Sequence, residues 1–99
     1  MSVNDQIAAA TEELLGIVRD YYKDLNGFIE DMLREIESLN DKMNQINQNW
    51  NDANFDDFRN SVNVKIRELE SQINRAKDLL SMVKETENSF ASALAILRG

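Results

Sequence analysis

The sequence predicts an all-α protein, an antiparallel two-helix hairpin, and three observations support this fold class. Apolar residues recur at alternating spacings of three and four along nearly all of the 99 residues. This spacing places one apolar seam along a helix that packs against a neighbouring helix. There is no proline, and the one cluster of turn-forming Asn and Asp residues lies near the middle, at residues 44–54. Helices joined by so short a turn fold back antiparallel.

The first helix is predicted over about residues 3–48. Ser2 and Asp5 have the Ser-x-x-acid spacing of an N-terminal capping box. The seam is expected to move by one position at Phe28/Ile29, beside Gly27, which we interpret as a bend or a close helix approach. The predicted pairing seam of this helix consists of Leu14, Val18, Tyr21, Leu25, Phe28, Met32, Ile36, Leu39, Met43 and Ile46.

The turn is predicted at about residues 49–53 and the second helix at about 54–97, within a single domain spanning 1–99. Asn51 and Asp52 are the expected turn centre, and either can cap the second helix, because Asn and Asp side chains satisfy free backbone N–H groups. Its seam begins at Phe55 and Phe58. The rest of the predicted pairing seam consists of Val62, Ile66, Leu69, Ile73, Leu80, Val83, Phe90 and Leu94.

Further apolar residues lie beside the seam on both helices and widen the apolar stripe. A stripe of this width suits a bundle of more than two helices. We therefore expect two hairpins to pair into a four-helix bundle, as a homodimer or a heterodimer. The flanking residues are Ile17, Tyr22, Ile29, Leu33, Val64, Leu79, Met82 and Ile96.

Composition narrows the classes of function. The chain has no cysteine or histidine and a formal charge of −7, which argues against thiolate or imidazole metal sites, histidine catalysis and nucleic-acid binding. The acidic residues fall mostly between seam positions and point to water, so no carboxylate site is expected. We predict no enzymatic activity, catalytic residue, metal, cofactor, small-molecule substrate or membrane insertion, and a protein partner instead.

The segment from Trp50 to Phe58 carries one specific motif, with Trp50, Asn51, Asp52, Ala53, Phe55 and Phe58 at the turn. It resembles the turn of the WXG-type, early-secreted-antigen-like proteins of type VII secretion systems, which are helical hairpins of similar length. Asp52 stands where the family has glycine. The resemblance covers the whole chain and implies a secreted substrate, a co-secreted partner or a chaperone of a larger effector.

The resemblance also implies a cytoplasmic location before export and a route that needs no signal peptide. Many family members or their partners carry a Tyr-x-x-x-Asp/Glu export signal in a C-terminal tail. Tyr21 and Tyr22 are followed four residues later by Leu25 and Asn26, so neither provides this signal. The alternative is a structural coiled-coil subunit, or a cytosolic adaptor, with no connection to type VII secretion.

Trp50 has two interpretations. In the structural one, which we favour, its ring covers the open end of the core near Ile46, Phe55 and Phe58, because a buried aromatic side chain of this size stabilises a turn. In the functional one, by analogy with the family, the turn belongs to a surface that a partner or the secretion ATPase contacts. The two roles can coexist.

Overall fold

A computed structural model describes residues 2–50 and 52–99 of this all-α antiparallel hairpin. Helix α1 spans Val3–Asn49 and helix α2 spans Ala53–Arg98, so the predicted helix ends differ by no more than one residue. The turn residue Asn51 lies outside the described residues, and its predicted part in the turn stays a prediction. Neither helix contains, within the described residues, a segment long and apolar enough to cross a membrane.

Contacts within the hairpin group into two compact units. The terminal unit contains the described residues of Met1–Gly27 together with Lys77–Gly99. The turn unit contains those of Phe28–Ala76. Each unit therefore consists of one segment of α1 and one segment of α2, and each has its own buried side chains.

The start of α1 has the reciprocal capping box that the sequence predicts. The backbone N–H of Asp5 donates to Ser2 Oγ at 3.1 Å, and the backbone N–H of Ser2 donates to Asp5 Oδ2 at 3.4 Å. Two N–H groups that the first helical turn cannot satisfy are thereby partnered.

One unbroken heptad organises α1. The buried residues Ala8, Leu15, Ile29, Ile36 and Met43, with half-buried Tyr22, recur at intervals of seven. We give these residues heptad position a. The d positions between them are half-buried, from Thr11 through Val18, Leu25, Met32 and Leu39.

Before residue 30, Val18 and Leu25 lie in the seam of α1 as predicted, but every second predicted position is one residue too early. Leu14, Tyr21 and Phe28 are exposed, so they do not lie between the two helices, and the predicted change of phase at Phe28/Ile29 is wrong. A Cβ at Gly27 would meet no atom within 4 Å, so the predicted close helix approach there is also wrong. Ile46, near the turn, is exposed as well.

Helix α2 has the same repeat from Phe55 onward. Phe55, Ile66, Ile73 and Val83 are buried, and the half-buried positions of the repeat include Arg59 and Glu87. Phe58 is exposed, so its predicted place in the seam is wrong and Arg59 occupies it. We assign Ile66 to position a and Leu69 to position d. The other predicted seam residues of α2 are half-buried, namely Val62, Leu69, Leu80, Phe90 and Leu94.

Candidate functional site

Asp52 organises the turn. Its Oδ1 accepts the backbone N–H of Phe55 at 2.9 Å, which makes Asp52 the N-cap of α2. Its Oδ2 accepts the indole N–H of Trp50 at 2.6 Å. One carboxylate thus ties the residue before the turn to the first turn of the next helix. A glycine, which the resembled family has at this position, has no side chain to make either bond.

These hydrogen bonds favour the ionised form of Asp52. The N–H of Phe55 is the largest influence and, with the Trp50 indole, lowers the pKa of the Asp52 carboxyl below its ordinary value. No described non-glycine residue has a positive φ. Asp52 therefore acts at the turn through its carboxylate and not through a left-handed backbone.

Trp50 lies beside the core without covering it. Its ring lines a shallow cavity of about 280 Å³ together with Asn54 and three apolar residues, Ile46, Phe55 and Phe58. These three are the neighbours that the sequence predicts. However, 61% of Trp50 is exposed. The prediction that the indole seals the end of the core is wrong, and the cavity opens on an apolar surface that we call the turn cluster: Ile46, Trp50 and Phe58.

Phe55 is the aromatic residue that closes this end of the turn unit. It is only 5% exposed, and the Arg59 guanidinium lies 6.0 Å from its ring centroid. Arg59 also donates to Asp56 Oδ1 at 2.9 Å and to Asn47 Oδ1 at 3.3 Å, which connects α2 to α1. The rings of Phe55 and Phe58 are 6.4 Å apart. The structure therefore separates a buried Phe55 from an exposed Phe58.

The terminal unit has a second apolar surface, which we call the apolar flank. It lies at positions g and c, on one side of the seam in each helix. Ile17 and Tyr21 from α1 line a groove of about 330 Å³ with Leu79 and Met82 from α2, so both helices contribute to one surface. The apolar flank consists of Val3, Ile7, Ala10, Leu14, Ile17 and Tyr21 on α1, and Leu79, Met82, Thr86, Ser89, Ala93 and Ile96 on α2.

The opposite side of the terminal unit is polar and ion-paired. Arg98 donates to Glu12 at 2.6 Å and Arg19 to Glu87 at 3.3 Å, both between the helices. Lys84 pairs with Glu87 at 3.3 Å, and its ammonium lies 5.3 Å from the Tyr22 ring centroid. Desolvation, the largest influence on Glu87, raises its pKa, but Arg19 and Lys84 together outweigh it and lower the pKa of this carboxyl.

The turn unit differs at the same flanking positions. Phe28 and Phe58 are the apolar residues there, one on each helix, and both are exposed. The remaining g and c positions are Asp31, Glu35, Ser38, Lys42, Gln45 and Asn49 on α1, and Asn54, Ser61, Lys65, Glu68, Gln72 and Arg75 on α2. This surface is polar and carries charges of both signs.

Sequence reasoning found part of these surfaces. Ile17, Leu79, Met82 and Ile96 were expected beside the seam, and their exposure is 65%, 38%, 62% and 81%. Tyr22 and Ile29, also expected beside it, lie within it. Val3, Ile7, Leu14 and Tyr21 were not expected on the flank, although one constant seven-residue register through α1 would have placed them there.

The described residues form no group of three or more metal-ligating side chains that could hold an ion. Comparisons with protein-family models, characterised proteins and solved structures found no match to this chain. Any assignment of function must therefore start from the apolar flank and the turn cluster, the two exposed apolar surfaces described above.

Proposed function

We propose that this chain is a non-enzymatic interaction module that works by helix–helix pairing, as a WXG-type hairpin of a type VII secretion system. The observation that carries the proposal is the apolar flank, which the hairpin's own seam leaves exposed. Contiguous apolar surface of this kind, bordered by polar residues, is typical of sites that bind other proteins.

The width of the apolar surface supports pairing with a second helical protein. Positions a and d are used within the hairpin, and positions g and c provide a second apolar face on both helices of the terminal unit. A helix with two apolar faces suits a bundle of more than two helices. The proposed assembly is a four-helix bundle made with another hairpin, either a copy or a related chain.

The connection with type VII secretion rests on the motif from Trp50 to Phe58 at the centre of the chain. The exposed turn cluster is compatible with a surface that another component contacts. Within such a system the chain would be a secreted substrate, a co-secreted partner or the chaperone of a larger effector. This part of the proposal rests on an analogy of fold and motif.

Two measurements in the native host test the two parts of the proposal separately. The chain, purified at its natural level, should sediment with a second helical protein or with a copy of itself, and a monomer mass throughout would contradict pairing. Inactivating the membrane-bound secretion ATPase should stop export of the chain or of its partner. Pairing without any dependence on the ATPase would favour the alternative of a structural subunit or adaptor.

A further inference from the structure

Within the terminal unit, the charges that border the apolar flank all have one sign. Four carboxylates occupy f positions that border the flank, two on each helix, and a fifth ends the flank on α1 at position c. They are Glu13, Asp20, Asp24, Asp78 and Glu85, and all five are exposed. We call these residues the acidic rim. None of the described ion pairs includes a member of this rim.

The basic residues of the terminal unit all lie on its other side. Every one of them occupies position e or b, on the side that carries the ion pairs with Glu12 and Glu87. They are Arg19, Lys23, Lys77, Lys84 and Arg98. Among its described residues, the terminal unit therefore has no cation at the positions that border the flank, and Arg75, at position c before Leu79, belongs to the turn unit.

The area of the flank is sufficient for a stable interface. Its eight large apolar side chains are 38–81% exposed. At roughly 100 Å² each, they present about 800 Å², which is what one partner contributes to an interface of standard size.

The charge of the rim selects the partner. In a second copy of this chain, the same flank would bring a second acidic rim, so pairing flank against flank would place carboxylates opposite carboxylates. Like charges that face each other across an interface oppose association, whereas complementary charges favour it and accelerate encounter.

We propose that the apolar flank binds a different helical protein, one whose own apolar heptad stripe is bordered by lysine and arginine. This inference rests on the proposed function, pairing between helices, and identifies the chemistry of the partner. The pairing is heteromeric, and the carboxylates of the rim oppose self-association.

The chain itself can provide the test. A rim-reversed variant with Glu13→Lys, Asp20→Lys, Asp78→Lys and Glu85→Lys keeps the apolar flank and acquires a basic border. A turn-unit control with Glu35→Lys, Glu37→Lys, Asp41→Lys and Glu70→Lys has the same net charge and leaves the rim intact. All eight positions are exposed, and circular dichroism checks that each variant is folded.

Sedimentation equilibrium measures the masses. We expect the wild-type chain and the rim-reversed variant to be monomeric when alone and to form a 1:1 complex when mixed, at least about tenfold tighter than either self-association. The complex should weaken in 0.5 M salt, because surface charges are then screened. The turn-unit control should not form it, and adding Ile17→Asp and Met82→Asp to the rim-reversed variant should abolish it.

Three outcomes would overturn the inference. They are a mixture that remains monomeric, a wild-type homodimer as tight as the mixed complex, or an equal complex with the turn-unit control. Capturing partners from host extract, with the wild-type chain and the rim-reversed variant as baits, shows whether only the inference fails or the proposed function fails as well. A partner that binds wild-type and rim-reversed baits equally contradicts the inference but leaves pairing intact, whereas the absence of any partner and of self-association contradicts both.

Discussion

The terminal unit and the turn unit share one internal architecture and differ on the outside. Both use the same heptad seam, with Leu15 buried in the first and Ile36 and Ile73 buried in the second. At positions g and c, the terminal unit presents a nearly continuous apolar flank, and the turn unit presents polar residues of mixed charge around Phe28 and Phe58. The seam explains how the hairpin folds, and the flanks show where it can bind.

The largest difference in stability between a seam residue and a flanking residue is expected in the turn unit, at two phenylalanines three residues apart. Phe55→Ala should lower the free energy of unfolding by about 3 kcal/mol, because it removes a buried aromatic ring and leaves a cavity. Phe58→Ala should cost less than about 1 kcal/mol, since its ring is already half in water. Urea denaturation measures both, and equal losses would contradict the assigned register.

The matching test in the terminal unit uses two adjacent leucines. Leu15 is 3% exposed and Leu14 is 47% exposed. Leu15→Ala should destabilise the hairpin by about 2–3 kcal/mol, whereas Leu14→Ala should cost less than about 1 kcal/mol.

Binding should reverse this order. Leu14→Ala should weaken the complex with the rim-reversed variant several-fold, because it removes part of the apolar flank. A Leu14→Ala chain that binds normally but unfolds readily would place Leu14 in the seam and remove it from the flank. Sedimentation equilibrium and urea denaturation of the same samples decide between these results.

A smaller effect is expected at the turn cluster. Trp50→Ala should retain the helix content and lose less than about 1 kcal/mol of stability, because most of the indole is already in contact with water. Thermal melting followed by circular dichroism measures this. A large fall in the melting temperature would restore the structural interpretation of Trp50, in which its ring seals the core.

The smallest effect on stability is expected when the pH is lowered. The pKa of Asp52 is lower in the folded chain than its ordinary 3.8, so its contribution to stability is fully present above that value and is lost as the pH falls through the folded pKa. Trp50 is the only tryptophan, and its fluorescence should change in this acidic range as the indole loses an ionised acceptor. Asp52→Asn is the control and should not show this transition.

Periodicity predicted the fold, the approximate helix ends and the seam of α2 except at Phe58, because an uninterrupted series of spacings leaves few alternatives. It failed in the first half of α1, where apolar residues occur as adjacent pairs. Leu14 with Leu15, Tyr21 with Tyr22, and Phe28 with Ile29 each offer two candidates for one seam position, and hydrophobicity does not separate them. A register that needs no change of phase selects the second residue of each pair.

The candidate surfaces were harder to predict for a related reason. A one-position error in the register of α1 exchanges seam and flank, so the apolar flank and the acidic rim could not be recognised as neighbours. At the turn, the sequence indicated that Asp52 could cap α2. The bond from its second oxygen to the Trp50 indole depends on the spatial path of the turn, which residue types alone do not specify.

The position of Glu87 within the seam has a consequence for alignment. Arg19 meets this carboxylate from position e of α1. If α2 slid by one heptad in either direction, the residue opposite Glu87 would be Glu12 or Asn26, neither of which carries a positive charge. Most side chains at a and d are apolar and can pack against one another after such a slip. A half-buried carboxylate that has lost its arginine is destabilising. Lys84, on the same helix, stays beside Glu87 in any alignment. The Arg19–Glu87 pair, with Arg98–Glu12, therefore favours one alignment of the terminal unit.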